Sequence, residues 1–190
     1  VPRAVDSKCS PVPGHLLRAM EGVRLLVLDV DGVLTDGGLW IDGSGRESKR
    51  FDVRDGLGIR LWLASGGLLA AVSGRGGAST RLRLGELGVE CVLGGVKDKV
   101  AAVERLLAAH ALEWPAVAMI GDDLPDLPVL RRCGLPIAVA DACDEVRSAA
   151  ALVTARPGGG GAVREAIEGL LRAQGRWDEM VRTISERGAG

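Results

Sequence analysis

Two aspartates, Asp29 and Asp31, directly follow a largely apolar segment at positions 23–28. A short segment rich in Val and Leu is typical of a strand that is buried on both faces of a parallel sheet. In α/β sheets, ligands bind beyond the carboxyl ends of the strands. Residues two apart in an extended chain point the same way. The two carboxylates would then repel each other, and a shared proton or a bound cation would relieve the repulsion.

Two further apolar segments also lead into polar side chains. Ser73 follows the segment at 68–72, and its hydroxyl could hydrogen-bond a phosphoryl oxygen, although a serine there is as typical of a turn or a helix N-cap. Arg75 could bind a phosphate or a carboxylate, or lie on the surface of a helix. The segment at 116–120 leads into a group of aspartates that begins at Asp122.

The elements that would position these side chains alternate between strands and helices from residue 23 to residue 154. This alternation predicts an α/β fold with a doubly wound, Rossmann-like and largely parallel sheet. Two extended pieces around a Gly-rich turn predict a β-hairpin at about 38–53. The predicted strands are 23–28, 68–72, 89–93, 116–120, 135–140 and 152–154, and the predicted helices are 15–21, 57–65, 78–87, 97–112, 127–132 and 144–150.

The chain is predicted to have one domain with a segment added at each end. An N-terminal arm occupies 1–21, the core occupies 22–157, and a glycine hinge with a helical C-terminal tail occupies 158–190. Four consecutive glycines at the start of that last segment favour a flexible joint. We therefore expect that a chain ending at Gly161 would still contain a folded core.

Composition favours an ordinary globular protein without a broad electrostatic partner. Of 190 residues 47% are hydrophobic, and the net charge is −1, so we expect neither nucleic acid nor an anionic membrane as a partner. No apolar segment approaches the ~20 residues that span a bilayer. The cysteines lack the spacing of a zinc site or a disulfide framework, which predicts a reducing, cytoplasmic location. They are Cys9, Cys91, Cys133 and Cys143.

The stretch Asp29-Val-Asp-Gly-Val-Leu-Thr35 resembles the first motif of the haloacid dehalogenase-like hydrolases, most of which are Mg2+-dependent phosphatases. The resemblance implies that Asp29 is the nucleophile, which forms an aspartyl-phosphate that water then hydrolyses. It implies that Asp31 is the general acid that protonates the leaving alkoxide and then the base that activates water. Ser73 would hydrogen-bond the transferred phosphoryl group.

Two lysines, Lys97 and Lys99, stand at the start of the helix predicted at 97–112. As isolated residues, both would be ordinary solvated lysines. The family's pattern favours the lysine at the start of the helix, and we assign it to Lys99. The resemblance implies that its ammonium group neutralises charge on the phosphoryl group and on Asp29.

The resemblance also implies a Mg2+ site at the same edge of the sheet. Its ligands would be Asp29, Asp122 and the main-chain carbonyl of Asp31, with several waters completing the octahedron. The cation would screen the nucleophile from the incoming phosphate dianion. Asp123 and Asp126 would ligate through water or orient other groups.

The spacing between the motifs leaves no room for a cap domain, since each gap holds only one helix and either a hairpin or a short strand. The fold implied is a capless haloacid dehalogenase-like core with a β-hairpin flap. Further stretches resemble the subgroup that hydrolyses 3-deoxy-D-manno-octulosonate 8-phosphate in lipopolysaccharide sugar synthesis. They are Phe51-Asp-Val-Arg-Asp-Gly56, Gly121-Asp-Asp-Leu-Pro-Asp126, Ala138-Val-Ala-Asp-Ala142 and Gly161-Ala-Val-Arg-Glu165.

Members of this subgroup are homotetramers, so the resemblance implies a homotetramer that the hairpin helps to assemble and whose C-terminal tail reaches a neighbour's active site. The candidates for binding a phosphorylated sugar acid are Arg54, Arg75 and Arg164. One departure concerns the arginine that the subgroup usually has within Gly-Gly-x-Gly-Ala, because that position is Gly160 here. Arg164, or Arg156 just upstream, could substitute for it.

Two alternatives remain open from the sequence. The substrate could be a nine-carbon keto-deoxy sugar acid phosphate of the sialic acid type, since the same motifs would serve it. The chain could also be a non-catalytic tetramerising domain, as in similar domains that are fused to sugar-nucleotide synthetases and have lost catalytic residues. The presence of all four central residues favours an enzyme; they are Asp29, Asp31, Lys99 and Asp122.

Overall fold

The computed structural model describes residues 13–187, and most of them surround one six-stranded parallel sheet. The strands are β1 (Leu25–Leu28), β2 (Trp40–Ile41), β3 (Glu47–Ser48), β4 (Leu68–Val72), β5 (Cys91–Leu93), β6 (Val117–Gly121), β7 (Leu135–Ala138) and β8 (Leu152–Val153). The sheet order is β5-β4-β1-β6-β7-β8, while β2 and β3 form a separate hairpin. The predicted α/β fold is therefore confirmed. Predictions that concern Cys9 and the arm before residue 13 lie outside the described residues.

Strand β1 lies at the centre of the sheet because its four residues are apolar and can be buried on both faces. All four are at most 2% exposed. It pairs in parallel with β4 on one side, Leu25 opposite Leu68, and with β6 on the other, Leu25 opposite Val117. Parallel strands end at the same edge, so the polar residues that follow these three strands come together.

Two groups of helices cover the sheet. The helices are α1 (Gly14–Gly22), α2 (Val53–Ala64), α3 (Ala78–Glu86), α4 (Lys99–His110), α5 (Leu127–Leu130), α6 (Asp144–Ala149), α7 (Ala162–Ala173) and α8 (Trp177–Arg187). Both α1 and α2 pack against α7, and both α4 and α6 pack against α5. Within residues 13–187, none of these helices has the length and apolarity needed to cross a bilayer.

Side-chain caps determine where two helices begin. The carboxylate of Asp52 accepts a hydrogen bond from the N–H of Arg54 at 2.7 Å, so α2 begins four residues before the apolar spacing predicts. Asp98 accepts one from the N–H of Ala101 at 3.0 Å, so α4 begins at Lys99 instead of residue 97. Capping satisfies a backbone donor that the first helical turn would otherwise leave unpaired.

The predicted hairpin is present but short. Strands β2 and β3 pair over two residues each. The loop between them is closed by Asp42, whose carboxylate accepts hydrogen bonds from the backbone N–H groups of Ser44 and Arg46, both at 2.9 Å. Trp40 and Ile41 are 73% and 64% exposed. Adjacent large apolar side chains in solvent are typical of a surface that binds another protein.

The segment after the four glycines packs against the core, so we now expect that the tail is not separable. Helix α7 buries Val163, Ile167, Leu170 and Leu171 completely, and it packs against α2 and α1. Without α7, the apolar faces of those two helices would lie in water. We therefore no longer expect a chain ending at Gly161 to contain a folded core.

The four consecutive glycines form a turn against the loop that follows β1. The N–H of Gly159 donates to the carbonyl of Val33 at 2.9 Å, and the N–H of Gly158 donates to the carboxylate of Asp141 at 2.8 Å. A Cβ at Gly158 would overlap the carbonyl of Gly32, so glycine permits an approach that no other residue could make. The hinge motion stays a prediction. In this structure the turn packs against the loop that follows β1 and stabilises it.

Candidate active site

Polar side chains from the ends of three central strands line one cleft at the carboxyl edge of the sheet. Asp29 follows β1, Ser73 follows β4, and Asp122 follows β6. The cleft brings together every residue that we predicted to be catalytic or metal-binding, and one of the three predicted substrate-binding arginines. These residues are Asp29, Asp31, Ser73, Arg75, Lys99 and Asp122.

Lys99 is the cation at the centre of this cleft. Its Nζ lies 2.5 Å from Asp29 Oδ1 and 2.7 Å from Asp126 Oδ1, and the three side chains are at most 9% exposed. The second oxygen of Asp126 accepts a hydrogen bond from the N–H of Asp122 at 3.0 Å. Lys97 is exposed and does not line the cleft. Of the two candidate lysines, Lys99 is thus the one beside the proposed nucleophile.

Three carboxylates face this one ammonium group, so the cleft holds excess negative charge. Carboxylate oxygens of Asp29, Asp122 and Asp126 lie within 4.8 Å of one another. Burial and the charge of Asp126 raise the pKa of Asp29 to about 6. Burial, with the charges of Asp29 and Asp126, raises the pKa of Asp122 to about 8. Burial alone would lower the pKa of Lys99, but the two neighbouring carboxylates raise it. A divalent cation would offset the remaining repulsion.

The donor set fits Mg2+, which prefers oxygen ligands and keeps several waters. Both oxygens of Asp126 are already engaged, one by Lys99 and one by a backbone N–H. This leaves Asp29 and Asp122 as the carboxylates available to a cation. A Cβ at Gly32 would overlap the Asp122 carboxylate, and Gly32 has a φ of +99°. Glycine is needed there on both counts.

The carboxylate of Asp31 has a different set of neighbours. Its Oδ1 lies 2.7 Å from Lys49 Nζ, and its Oδ2 accepts a hydrogen bond from Ser73 Oγ at 3.4 Å. Ser73 also accepts a hydrogen bond from the N–H of Arg75 at 3.0 Å. The serine thus stabilises a turn and also lines the cleft, while its hydrogen bond to a phosphoryl oxygen stays a prediction. Since the side chain of Asp31 is engaged, its main-chain carbonyl is the group left for a cation.

Two residues that lie beside this site were not predicted from the sequence, Glu47 and Lys49 of the hairpin segment. Lys49 Nζ lies 3.2 Å from Glu47 Oε1, and Arg75 Nη2 lies 2.9 Å from Glu47 Oε2. The local signal was two opposite charges two residues apart, which a strand places on one face. Such a pair on a hairpin is ordinarily interpreted as solvated. Nothing in the neighbouring sequence shows that the hairpin folds over the acidic cleft.

Arg54 and Arg164 are not brought to this cleft. They line a second cleft beside α7, together with Arg156. Arg54 forms an ion pair at 2.6 Å with the aspartate that caps α2, and the guanidinium of Arg164 lies 5.2 Å from the centroid of the Trp177 ring. Within one chain, these two predicted substrate-binding arginines are thus separated from the cleft that holds Asp29 and Asp122.

Comparison with known proteins identifies relatives that match nearly the whole chain. The sequence model of the haloacid dehalogenase-like hydrolases matches residues 88–167. The 3-deoxy-D-manno-octulosonate 8-phosphate phosphatase KdsC of Salmonella typhi is 44% identical over 169 residues, which cover 89% of this chain and 90% of that protein. Coverage on both sides means that the likeness extends over the whole enzyme and is not confined to one motif.

Solved structures agree with this likeness. The phosphatase of the same name from Moraxella catarrhalis, in complex with magnesium ion, phosphate ion and KDO, superposes with a TM-score of 0.87 at 37% identity, covering 89% of this chain and 97% of that chain. The cobalt-bound enzyme from Haemophilus influenzae gives a TM-score of 0.81 at 39% identity, covering 84% and 93%. The chain therefore belongs to the 3-deoxy-D-manno-octulosonate 8-phosphate phosphatase family of haloacid dehalogenase-like hydrolases.

Proposed function

We propose that this protein is a Mg2+-dependent phosphatase that removes the phosphate group from 3-deoxy-D-manno-octulosonate 8-phosphate, in lipopolysaccharide sugar biosynthesis. The observation that carries the proposal is the buried contact between Asp29 and Lys99, in the same cleft as Asp31 and Asp122. Relatives named for this activity match nearly the whole chain. The magnesium and phosphate ions in the Moraxella complex are those that such a reaction requires.

In this mechanism Asp29 supplies the nucleophile. One of its carboxylate oxygens attacks phosphorus in line with the leaving oxygen, and the bond from phosphorus to the sugar oxygen breaks as the aspartyl-phosphate forms. The ammonium group of Lys99 lies 2.5 Å from the carboxylate, so it restrains the side chain and offsets the charge on the phosphoryl oxygens. Ser73 Oγ would donate a hydrogen bond to one of these oxygens.

Asp31 moves the proton in both halves of the reaction. As a carboxylic acid it protonates the departing sugar alkoxide, and as the resulting carboxylate it takes a proton from the water that attacks the aspartyl-phosphate. This second attack releases inorganic phosphate and restores Asp29. Mg2+ bound by Asp29, Asp122 and the Asp31 carbonyl would place positive charge beside the phosphoryl oxygens.

The proposal is tested by phosphate release from the purified protein, with Mg2+ and with EDTA. The eight-carbon sugar phosphate and a nine-carbon keto-deoxy analogue are offered side by side. We expect Mg2+-dependent release with a higher kcat/KM for the eight-carbon substrate. A preference for the nine-carbon sugar would contradict the proposed substrate but not the mechanism. Absence of release from folded protein would favour the non-catalytic alternative.

Replacing Asp122 by Asn is expected to abolish stabilisation by Mg2+ and, in EDTA, to raise the melting temperature. Folding raises the pKa of Asp122 from 3.8 to about 8. The fold thus binds a proton that the unfolded chain releases, and stability falls as the pH rises through that window. Allowing for solvent screening, we expect the variant's free energy of unfolding at pH 8 to exceed that of the wild type by about 2 kcal/mol, which raises Tm by ~4–8 °C. Thermal unfolding in EDTA and in excess Mg2+ measures both effects.

The matched control for this prediction is Asp144→Asn, which removes an exposed carboxylate from the first turn of α6. This control variant should be stabilised by Mg2+ as much as the wild type, and its melting temperature in EDTA should rise little. If Asp122→Asn were still stabilised by Mg2+ to the wild-type extent, Asp122 would not be a ligand. A lower Tm in EDTA would show that repulsion in the cleft does not limit stability.

We also propose that the protein is a homotetramer assembled through the hairpin. The exposed side chains of Trp40 and Ile41 support this, because apolar side chains gain free energy when a partner covers them. The double variant Trp40→Ser/Ile41→Ser should lower the mass measured by light scattering coupled to size exclusion. Leu82→Ser, at a 71% exposed position on α3, is the matched control. A wild-type mass for the double variant would contradict assembly through the hairpin.

In such an assembly Arg54 and Arg164 could serve a neighbouring site. Both lie outside the chain's own acidic cleft, beside α7 and the four glycines. Their guanidinium groups would bind the carboxylate or phosphate of a substrate held by an adjacent subunit. This keeps both residues as proposed substrate ligands, with the partner chain supplying the nucleophile.

We propose a cytoplasmic location for this activity. The three cysteines of the described part of the chain, Cys91, Cys133 and Cys143, are free thiols. Burial raises the pKa of Cys91, and burial raises the pKa of Cys133 to about 11. Protonated thiols are poor nucleophiles, so Cys91 and Cys133 suit a reducing compartment in which they have no redox function.

A further inference from the structure

A buried lysine contacts the proposed proton carrier from outside the cleft. The side chain of Lys49 is only 1% exposed, and its Nζ lies 2.7 Å from Asp31 Oδ1. Lys49 is not among the residues that line the cleft holding Asp29 and Asp122. A substrate in that cleft would therefore meet Asp31 without touching Lys49. The lysine can influence the reaction only through the residues that it contacts.

The ammonium group of Lys49 is shared between two carboxylates. It lies 3.2 Å from Glu47 Oε1 as well as 2.7 Å from Asp31 Oδ1. Within residues 13–187, these two oxygens are buried and accept no aligned hydrogen bond, so the positive charge is what compensates them. A buried carboxylate oxygen without such compensation is costly. Removal of the charge would leave Asp31 and Glu47 to repel each other, and Asp31 would turn away.

The contacts of Asp31 also restrain its orientation. Lys49 lies against one oxygen, and Ser73 donates a hydrogen bond to the other at 3.4 Å. Glu47 connects the lysine to Arg75, whose Nη2 is 2.9 Å from Glu47 Oε2. The side chain of Glu47 on β3 thus helps to position the lysine, and a carboxyl group held at both oxygens cannot rotate freely. Such restraint matters for proton transfer, which depends on the distance and direction between donor and acceptor.

We propose that Lys49 is a positioning residue that holds the Asp31 carboxyl group where it can protonate the leaving sugar oxygen. This inference rests on the proposed function, in which Asp31 is the general acid. Lys49 does not line the cleft, and it contacts the side chain of Asp31 and not its carbonyl, so it is a positioning residue and not a catalytic one. The hairpin thereby has a function in the chemistry of its own chain, in addition to its proposed function in assembly.

The test compares two leaving groups in Lys49→Met, which keeps the length of the side chain and removes its charge. An alkyl phosphate needs a proton on its leaving oxygen, whereas p-nitrophenyl phosphate releases a stable phenolate that needs none. We expect kcat/KM, which reports the steps up to departure of the leaving group, to fall on the order of 10²-fold with the sugar phosphate and less than about 5-fold with the aryl phosphate. Hydrolysis of the aspartyl-phosphate, in which Asp31 is the base, is common to both substrates, so kcat is not compared between them. Lys97→Met, at an exposed lysine, is the matched control.

A double variant separates action through Asp31 from general damage. If Lys49 acts through Asp31, then adding Lys49→Met to Asp31→Asn should lower kcat/KM little further, since the carboxyl group to be positioned is already gone. The proposal would be contradicted if the losses of the two single variants multiplied in the double variant. It would also be contradicted if Lys49→Met lowered kcat/KM equally with both leaving groups, or with neither. Should Lys49→Met fail to fold, Lys49→Arg keeps the charge but displaces it, and should lose about 5–10-fold on the alkyl phosphate alone.

The same experiment distinguishes a wrong substrate from a wrong assignment of Lys49. Phosphate release from the sugar phosphate by the wild-type protein tests the proposed function before any variant is made. The comparison between an alkyl and an aryl leaving group requires only some alkyl phosphate that the enzyme hydrolyses. 2-Glycerophosphate can be offered for this purpose in place of the sugar phosphate. A failure of the proposed substrate would thus leave the leaving-group test of Lys49 intact.

Discussion

Replacing Asp29 by Asn is expected to lower kcat by about 10⁵-fold or more while leaving the fold and the oligomeric state unchanged. The amide has the shape of the carboxylate, but its oxygen is a poor nucleophile, so the aspartyl-phosphate does not form. The fold should tolerate the change because burial and Asp126 already raise the pKa of Asp29 to about 6. Lys99 retains Asp126 as its partner, at 2.7 Å. Phosphate release, circular dichroism and light scattering measure the three properties.

A second measurement distinguishes loss of the nucleophile from loss of substrate binding. When the wild-type protein is quenched in acid during turnover of a substrate with a radiolabelled phosphate, label should remain on the protein. Asp29→Asn should retain none, whereas Asp144→Asn should behave as the wild type. If Asp29→Asn kept its label, or released phosphate at a comparable rate, the nucleophile would be another residue.

The carboxyl edge of the sheet could be predicted from local sequence because buried parallel strands are apolar on both faces. Predicted strand 68–72 coincides with β4, and predicted strand 116–120 differs from β6 by one residue. Once the strand ends are known, the positions of Asp29, Ser73 and Asp122 follow without any long-range information. This explains why these three residues, which we predicted to be catalytic or metal-binding, lie in one cleft.

The hairpin could not be interpreted in the same way, because its contacts are long-range. The charges of Glu47 and Lys49 are those of an ordinary solvated hairpin, yet Lys49 is buried against Asp31. No local pattern states which surface a hairpin covers. For the same reason, the sequence does not show that Arg54 and Arg164 lie in a second cleft, separate from the one that holds Asp29 and Asp122.

The close packing of the four consecutive glycines could not be predicted from the sequence for a different reason. A run of glycines predicts flexibility when only the chain is considered. Here the absence of side chains allows close packing: a Cβ at Gly158 would overlap the carbonyl of Gly32, and a Cβ at Gly159 would overlap the backbone of Thr35. The glycines join α7 to the loop that follows β1, so the helix after them is part of the core.

A chain that ends at Gly161 is therefore expected not to fold. It would lose α7, whose side chains at Val163, Ile167, Leu170 and Leu171 are completely buried. At about 1.5–3 kcal/mol for each such side chain, the loss is ~6–12 kcal/mol, which is comparable to the whole stability of a typical domain. Far-ultraviolet circular dichroism and thermal unfolding should show reduced helix content and no cooperative transition.

The matched control is a chain that ends at Arg176, which loses α8 but keeps α7. In α8 the buried apolar side chain is Met180, and Trp177 contacts the guanidinium groups of Arg164 and Arg172 at about 5 Å. We expect this chain to fold with a lower Tm, because it retains the contacts of α7 with α1 and α2. A cooperative transition near the wild-type Tm for the chain ending at Gly161 would instead mean that α7 is dispensable. That outcome would support the prediction of a separable C-terminal tail, with the turn of glycines as its hinge.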